Sequence, residues 1–354
     1  MKLTIISIQT FGDYLLKAPF LHQVFSRYPG AEVTLVTNPK GAMVYPLVDS
    51  RLKLVVVDKH DSKPSILSKL IRIPKADILY LIDQNPVSYA FSLVVRARKK
   101  IGWQQSMSKL FQGPQIGFRD YNWVSPKLKF VMGFVLDKKR LREPEDAYEG
   151  HVELRLLDNP EIYPRLAQYR TESSFNSAAK PAAPLILCCT RASWNARQLS
   201  EDVWNQILLA LLASYPRHEF VVDGPSSLIA GMGDNPRLRQ MQRSEQLNDF
   251  FSLVASADAV ICSDSFPCHV ASWFDVPAVV TFGPAPPHRF APTAPGSTSL
   301  YHRPPCSPCF QQVGSKPCMA GYTQCLSLQQ ITSDEVCAAV SKAIESRARS
   351  AVSR

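Results

Sequence analysis

Residues 257–271, ADAVICSDSFPCHVA, decide the fold of this chain. A predicted strand, Ala257–Cys262, is apolar except for Asp258 and ends in a polar turn. A stretch suited to a helix follows at Phe266–Phe274, with Pro267 placed where a first helical turn accepts proline. A second apolar run begins at once, Val276–Phe282. A short apolar strand, a helix and another strand in succession predict a parallel sheet covered by helices.

The same alternation extends outward in both directions. Towards the amino terminus, a helix ending near Arg27 and another at Pro86–Arg98 are predicted between strands at Leu3–Ile8, Ala31–Thr37, Leu52–Asp58 and Ala76–Asp83. A second series adds strands at Leu185–Cys189 and His218–Asp223, and helices at Ser200–Ser214, Leu247–Ala255 and Ser333–Ser346. Residues 284–308 contain eight prolines and are predicted to be mostly loop.

A small, polar, turn-rich segment divides the two series. We therefore expect an N-terminal domain over residues 1–165, a linker over 166–184, a C-terminal domain over 185–332 with a cysteine-rich loop at 303–326, and a terminal helix at 333–354. Two open α/β domains imply a central cleft between them. Ligands of such sheets bind outside the carboxyl ends of the strands.

The positive charge is confined to the first part of the chain. Lys and Arg total 40 against 30 Asp and Glu, a net charge of +10; residues 1–150 hold 23 basic and 13 acidic side chains, and the rest holds 17 of each. Such a surface attracts phosphate, carboxylate or an anionic membrane, or is simply a solvated basic face. No apolar run could span a bilayer or serve as an export signal, which favours a cytoplasmic protein.

Polar residues follow the strands where a ligand would bind. Gly12 and Asp13 come after the first strand, Asp264 and Ser265 after the strand at 257–262, and Gly283 after the strand at 276–282. Helix capping is the alternative role for the aspartates and the serine. Neither a Gly-x-Gly-x-x-Gly nor a P-loop motif is present, so a dinucleotide oxidoreductase and a P-loop enzyme are disfavoured. No Asp-x-Asp triplet is present to hold a metal on a nucleotide diphosphate.

Three motifs in order resemble the family-nine glycosyltransferases, the heptosyltransferases of lipopolysaccharide core assembly. They are Phe11-Gly12-Asp13 followed by Pro19 and by 28–33 (YPGAEV), residues 192–197 (ASWNAR) followed by Glu201 and Trp204, and residues 257–271 followed by Phe282-Gly283-Pro284. The resemblance covers nearly the whole chain. It implies a GT-B architecture of two Rossmann-like domains, with the acceptor on the first and the sugar nucleotide on the second.

The resemblance also implies the chemistry. The expected reaction is an inverting, metal-independent transfer of heptose from ADP-heptose to a lipopolysaccharide core acceptor, with no cofactor for catalysis. Asp13 matches the general base, Arg197 a position that meets the diphosphate, and Asp264 a position that holds sugar hydroxyls. The remaining candidate substrate-binding residues are Gly12, Thr190, Ser193, Asp223, Ser265, His269 and Gly283. For His269, a packed structural role is the alternative.

Some positions depart from the family pattern. Phe266 replaces a common glycine beside the phosphates, and serine replaces the acidic residue expected to bind ribose, a role that Asp223 could take from a shifted position. Cys189-Thr190-Arg191 replaces the usual His-Pro-Gly. These departures leave open a GT-B enzyme that uses another nucleotide sugar.

Four cysteines lie close together near the end of the chain, Cys306, Cys309, Cys318 and Cys325. The first two have the spacing of a metal knuckle, so a structural zinc or iron site is predicted, with free thiols as the alternative. The cluster is similar to the cysteine finger of the autotransporter heptosyltransferases, which modify proteins. Lipopolysaccharide-type members also carry a Cys-x-x-Cys here, so the cluster leaves the acceptor undecided.

Several functions remain to be compared. The expected partners are a nucleotide-sugar donor and an acceptor that is either an anionic glycolipid, with peripheral contact at the inner face of the inner membrane, or a protein. A GT-B epimerase would turn over the donor alone, and an inactive relative would only bind it. A zinc-finger nucleic-acid protein is disfavoured, because residues 300–326 contain only Arg303 and Lys316 as fixed cations.

Overall fold

The computed structural model describes residues 1–83, 86–102, 148–157, 160–176, 183–192, 195–241, 246–307, 309, 322 and 324–352. The chain forms two compact units. The first comprises Met1–Ile162 and Arg170–Phe175, and the second comprises Tyr163–Tyr169 and Asn176–Arg354. Each unit contains one parallel sheet with helices, so the predicted α/β class with two Rossmann-like domains is confirmed.

The first unit is built on a five-stranded sheet in the order β3-β2-β1-β4-β5. A hydrophobic core lies between one face of this sheet and two helices, and it includes Ile6, Leu70 and Tyr89. The elements in chain order are β1 (Lys2–Ile6), α1 (Phe11–Leu16), α2 (Ala18–Arg27), β2 (Glu32–Thr37), α3 (Pro39–Val48), β3 (Lys53–Val56), α4 (Lys63–Ile71), β4 (Ala76–Leu81), α5 (Pro86–Val94) and β5 (Ala97–Gly102). Two 3₁₀ turns follow at Glu149–His151 and Glu153–Leu156.

The second unit is built on a six-stranded sheet in the order β11-β10-β9-β6-β7-β8. Its elements are β6 (Leu185–Cys189), α6 (Glu201–Ser214), β7 (Glu219–Asp223), α7 (Ser226–Ala230), β8 (Leu238–Gln240), α8 (Leu247–Ser256), β9 (Ala259–Ser263), α9 (Phe266–Trp273), β10 (Ala278–Thr281), α10 (Pro287–Phe290), β11 (Thr298–Leu300), α11 (Leu326–Gln329) and α12 (Ser333–Val352). The terminal helix α12 buries Val336 and Val340 in the same core as Trp204 of α6.

The sequence patterns place the central strands and the main helices correctly and miss several other elements, among them helices α3 and α4 of the first unit and the short helices α7, α10 and α11 of the second. The helix predicted at Pro86–Arg98 ends at Val94, and Ala97–Gly102 forms the edge strand β5. Pairing with β4 stabilises this polar segment, since Ile78 and Lys99 are partners in the ladder. The short edge strands β8 and β11 were not predicted, because three residues carry no clear alternation.

Residues of the predicted linker pack on both units. In the first unit, Ser174 donates a hydrogen bond from its hydroxyl to the Val48 carbonyl (2.7 Å), and the Phe175 N–H donates to Leu47 (2.8 Å). In the second unit, the Leu166 N–H donates to the Thr293 hydroxyl (2.9 Å). The segment is therefore anchored at these points, and the assignment of one unit to the acceptor and the other to the donor stays a prediction.

Within the described residues, no helix combines the length and apolarity that crossing a lipid bilayer requires.

Candidate functional site

The loop after β1 is fixed at every residue. The Tyr45 hydroxyl donates to the Ser7 hydroxyl (2.7 Å), and the Ile8 N–H donates to the carboxylate of Asp83, which also accepts from Ser88 (3.0 Å). These contacts tie the loop to α3 and to the end of β4. The hydrogen bonds hold the loop rigidly at the carboxyl end of the sheet, where ligands of such folds bind.

The buried side chain of Tyr14 holds the backbone of Gln9, the next residue of this loop. The Gln9 N–H donates to the Tyr14 hydroxyl (2.8 Å), and that hydroxyl donates back to the Gln9 carbonyl (2.7 Å), which also accepts from the Asn38 amide (3.1 Å). Burial raises the pKa of Tyr14 to about 12. The phenol is therefore neutral at physiological pH and serves as a fixed anchor for the backbone.

Asp13 lies in the first turn of α1, held by the residue that caps the helix. Its Oδ2 accepts hydrogen bonds from the Thr10 hydroxyl (2.8 Å) and the Thr10 N–H (3.3 Å). Within the described part of the chain, no hydrogen bond to Oδ1 is found, and the side chain is half-buried. One oxygen thus fixes the carboxylate while the other is able to accept a proton, so capping and a catalytic role are compatible. Gly12 occupies the preceding position of the same turn.

A buried ion pair lies one turn beyond Asp13. Lys17 Nζ contacts Glu153 Oε1, and each side chain is only 3% exposed. Burial lowers the pKa of Lys17, but the Glu153 carboxylate more than offsets this effect, so the pKa lies above its ordinary value. No sequence pattern predicts this pair, since 136 residues separate its members and Lys17 alone belongs to no motif.

In the second unit, Arg197 and Asp264 lie together at the carboxyl end of β9. Arg197 Nη1 donates to the Asp264 carbonyl oxygen (3.0 Å) and lies 3.5 Å from Asp264 Oδ2. The Asp264 carboxylate is buried, and its backbone N–H donates to Thr281 of β10 (3.1 Å). The guanidinium expected to meet a diphosphate is therefore anchored on the residue expected to hold sugar hydroxyls.

Helix α9 begins immediately after this pair. Ser265 is its N-cap, and the Ser265 hydroxyl donates to the Ser263 carbonyl (3.1 Å). The ring of Phe266 stacks on Phe250 of α8, with centroids 5.9 Å apart. The bulky residue that replaces glycine therefore packs its ring against α8. His269 is buried on α9, and its role in substrate binding stays a prediction.

The carboxyl ends of β6 and β7 bring two further candidates together. The Thr190 N–H and hydroxyl both donate to the Asp223 carbonyl (2.9 and 3.0 Å), and the Arg191 guanidinium donates to the Gly224 carbonyl (2.7 Å). The Asp223 side chain is half-buried. Its carboxylate lies at the same edge of the sheet as Asp264, since Cys189 pairs with both Asp223 and Cys262 in the parallel ladders.

Gly283 is packed tightly against the Asn195–Arg197 turn. A Cβ at this position would lie 3.0 Å from the Ala196 carbonyl oxygen and 3.3 Å from the Cys325 sulfur. We expect Gly283→Ala to displace the turn that carries Arg197 and to weaken the binding of ADP, the nucleotide that the resemblance predicts, by about tenfold, the effect of roughly 1.4 kcal/mol. Calorimetric titration with ADP measures this. Alanine at Gly30, where nothing lies within 4 Å of an added Cβ, is the control that should bind ADP normally.

Two of the predicted residues, Ser193 and Cys318, lie outside the described residues. Of the other clustered cysteines, Cys306 is exposed, Cys309 half-buried and Cys325 buried. The Cys309 N–H donates to the Pro284 carbonyl (3.0 Å). In the described ranges, no three potential ligands lie together as a metal site, so the zinc or iron site stays a prediction.

Comparison with known proteins bears on this arrangement. A family model described as glycosyltransferase family 9 (heptosyltransferase) matches residues 243–320, the segment that contains α8, β9 and α9. The resemblance indicated by the sequence is confirmed. With it, the predicted enzyme class, a glycosyltransferase, is confirmed as well. No curated protein matches the sequence significantly.

Solved structures share the fold of this glycosyltransferase at low sequence identity. E. coli ADP-heptose lps heptosyltransferase II is 14% identical with a TM-score of 0.68, covering 97% of this chain and 98% of its own. E. coli heptosyltransferase WaaC with ADP is 14% identical with a TM-score of 0.66, covering 97% and 99%. The dodecameric iron-containing heptosyltransferase TibC, from enterotoxigenic E. coli, is 12% identical with a TM-score of 0.54, covering 98% and 76%. These similarities agree with the predicted GT-B class.

Proposed function

We propose that this glycosyltransferase moves heptose from ADP-heptose to a hydroxyl of a lipopolysaccharide core acceptor, with inversion at the anomeric carbon. The observation that carries the proposal is the state of Asp13: a half-buried carboxylate fixed through one oxygen by Thr10, at the carboxyl end of a parallel sheet. A general base must be rigidly held and still able to accept a proton.

The acceptor side of the reaction follows from that carboxylate. Asp13 takes the proton of the acceptor hydroxyl while the acceptor oxygen forms its bond to the anomeric carbon. The bond from that carbon to the diphosphate oxygen breaks at the same time, and both of its electrons leave with ADP. Attack on the face opposite the leaving group inverts the anomeric configuration.

The donor side needs positive charge where ADP departs. Arg197 supplies a guanidinium at the carboxyl end of β9, and the N-terminal amides of α9 offer further donors to phosphate. Asp264, which holds Arg197 in place, offers its carboxylate to the sugar hydroxyls. Thr190 and Asp223 form the neighbouring edge, where we assign the nucleoside, with Asp223 accepting from ribose.

Replacing Arg197 with alanine is expected to weaken ADP binding by about 10- to 100-fold, since hydrogen bonds to charged groups contribute roughly 1.5–3 kcal/mol. Arg197→Lys keeps the charge but loses the planar guanidinium, so its affinity for ADP should lie between those of the wild type and the alanine variant. Calorimetric titration with ADP measures the affinities. Arg217→Ala, at an exposed arginine of the same unit, is the control. Equal losses in the Arg197 and Arg217 variants would contradict the assignment.

The proposed function is tested by incubating the protein with ADP-heptose and heptose-deficient lipopolysaccharide and measuring ADP release and sugar incorporation. Parallel reactions use UDP- and GDP-sugars, or omit the acceptor. We expect ADP release only with ADP-heptose and acceptor together. Turnover with another nucleotide sugar but not with ADP-heptose would support a different donor. Conversion of the donor in the absence of an acceptor would support an epimerase.

A protein acceptor remains the second candidate, because the chain carries the Cys306–Cys325 cluster that resembles the finger of the protein-modifying branch. The buried Cys325 and the anchored Cys309 both lie near the Gly283–Pro284 turn, one by its distance from Gly283 and the other by its bond to Pro284. A structural metal held by this cluster would stabilise the loop, and no step of the transfer requires it.

A further inference from the structure

Two helices of the first unit turn apolar residues towards solvent. On α4, Leu67 and Ile71 are spaced four residues apart, and on α5, Val87, Ala90 and Leu93 are spaced three apart, so each set follows one side of its helix. The four larger side chains have 42% to 54% of their surface exposed. We call these five residues the α4–α5 face.

The two stripes belong to one surface. Helices α4 and α5 pack against each other, and Leu70 of α4 and Tyr89 of α5 enter the same core on one side of the sheet. Since their inner faces share that core, their outer faces point in the same direction. Isolated exposed aliphatic residues are ordinary on protein surfaces, whereas exposed apolar residues grouped together are typical of interaction sites.

The segments that carry this face are strongly basic. Residues 63–75 contain four lysines and arginines, residues 86–100 contain four more, and neither segment contains an acidic residue. Arg72, Lys75 and Arg96 are exposed. The last two follow the helices at the same end, where the Ala76 N–H donates to the Arg96 carbonyl (3.0 Å). An aliphatic centre is thus bordered by cations.

We infer that the α4–α5 face docks the protein on an anionic lipid bilayer. Aliphatic side chains of an amphipathic surface enter the boundary between headgroups and acyl chains, while neighbouring lysines and arginines bind lipid phosphates. A second copy of the chain is a poor occupant, because a symmetric contact would bring the exposed cations Arg72, Lys75 and Arg96 near the same three of the partner copy. The inference extends the proposed function, since it names the surface that brings the enzyme to a lipid-borne acceptor.

The test is co-sedimentation of the full-length protein with vesicles of phosphatidylcholine, with and without phosphatidylglycerol. We expect binding only when phosphatidylglycerol is present. The Leu67→Ser/Ile71→Ser variant should lose at least about tenfold in affinity, because it lacks two aliphatic side chains that would enter the bilayer. Leu209→Ser, at a leucine of α6 in the second unit that is 59% exposed, is the matched control and should bind like the wild type.

A second pair of variants tests the charge. Arg72→Gln/Lys75→Gln should weaken binding and reduce its salt dependence, whereas Arg217→Gln/Arg239→Gln changes the net charge equally in the second unit and should have little effect. Equal losses in both pairs would overturn the inference in favour of a general charge effect. Equal binding to neutral vesicles would also overturn it.

Two further outcomes separate this surface from the proposed reaction. If Leu67→Ser/Ile71→Ser changes only the oligomeric state in size-exclusion chromatography, the face is a contact between copies and the inference is wrong. If the wild type fails to bind the anionic vesicles but transfers heptose to a delipidated acceptor, the surface is wrong and the proposed function stands. If the wild type binds the vesicles but transfers no sugar, the surface stands and the proposed function fails.

Discussion

Asp13→Asn is expected to lower the rate of sugar transfer by about 10²- to 10⁴-fold, the range that a positioned general base contributes. The amide keeps the shape of the side chain and can still accept the hydrogen bonds from Thr10, but it cannot take a proton from the acceptor. Affinity for ADP should stay within about twofold of the wild type, because the change removes catalysis and not donor binding. Transfer is measured as ADP release at saturating donor and acceptor.

A matched control for this variant is present in the second unit. Asp202 also lies in the first turn of a helix, α6, so Asp202→Asn removes a similar favourable charge near a helix N-terminus. We expect it to transfer sugar at the wild-type rate. If Asp13→Asn retained full activity, or lost donor affinity in proportion to its rate, Asp13 could not be the general base. Thr10→Val should give a smaller loss, since Asp13 would remain but be held less firmly.

The sequence predicts the central strands of both units well because they are buried on both faces. β6 is apolar along its whole length, β9 is apolar up to its last residue, Ser263, and every residue in both strands is buried. Such strands need a continuous apolar run, which is visible without a structure. Edge strand β5 is different: Arg98 and Lys99 are exposed, and the strand exists through its ladder with β4. Pairing across the sheet leaves no local signal in a polar segment.

The candidate site likewise contains features that the local sequence predicts and features that it does not. Residues that follow a strand, such as Asp13 and Asp264, could be placed from the sequence because the chain itself puts them at the carboxyl edge. The contact between Arg197 and Asp264 could not, because it joins a turn after β6 to a turn after β9. The direction taken by the Phe266 ring was equally hidden, since it depends on Phe250 of the preceding helix.

Of the substitutions proposed, breaking the buried pair of Lys17 and Glu153 is expected to lower the free energy of unfolding most. Lys17→Met leaves the Glu153 carboxylate buried without its partner, and breaking a buried ion pair in this way costs about 3–5 kcal/mol of unfolding free energy. Lys17→Met/Glu153→Leu removes both charges and should recover most of that loss. Urea unfolding of the full chain measures the three proteins. Lys53→Met, which breaks an exposed pair with Glu32, is the control and should cost at most about 1 kcal/mol.

The cost of Lys17→Met should also depend on pH. Burial raises the pKa of Glu153 and the Lys17 ammonium opposes the rise, so without the ammonium the pKa of Glu153 must climb further. A carboxyl group whose pKa is higher in the folded than in the unfolded state destabilises the protein as the pH rises. The loss begins near the pKa of the unfolded state and is complete once the pH has passed the pKa of the folded state. The deficit of Lys17→Met relative to the wild type should therefore be larger at about pH 8 than at about pH 5.5, where Glu153 is protonated in the folded variant. A deficit that is independent of pH would mean that the methionine disturbs packing alone, and that the charge of Glu153 is not what Lys17 compensates.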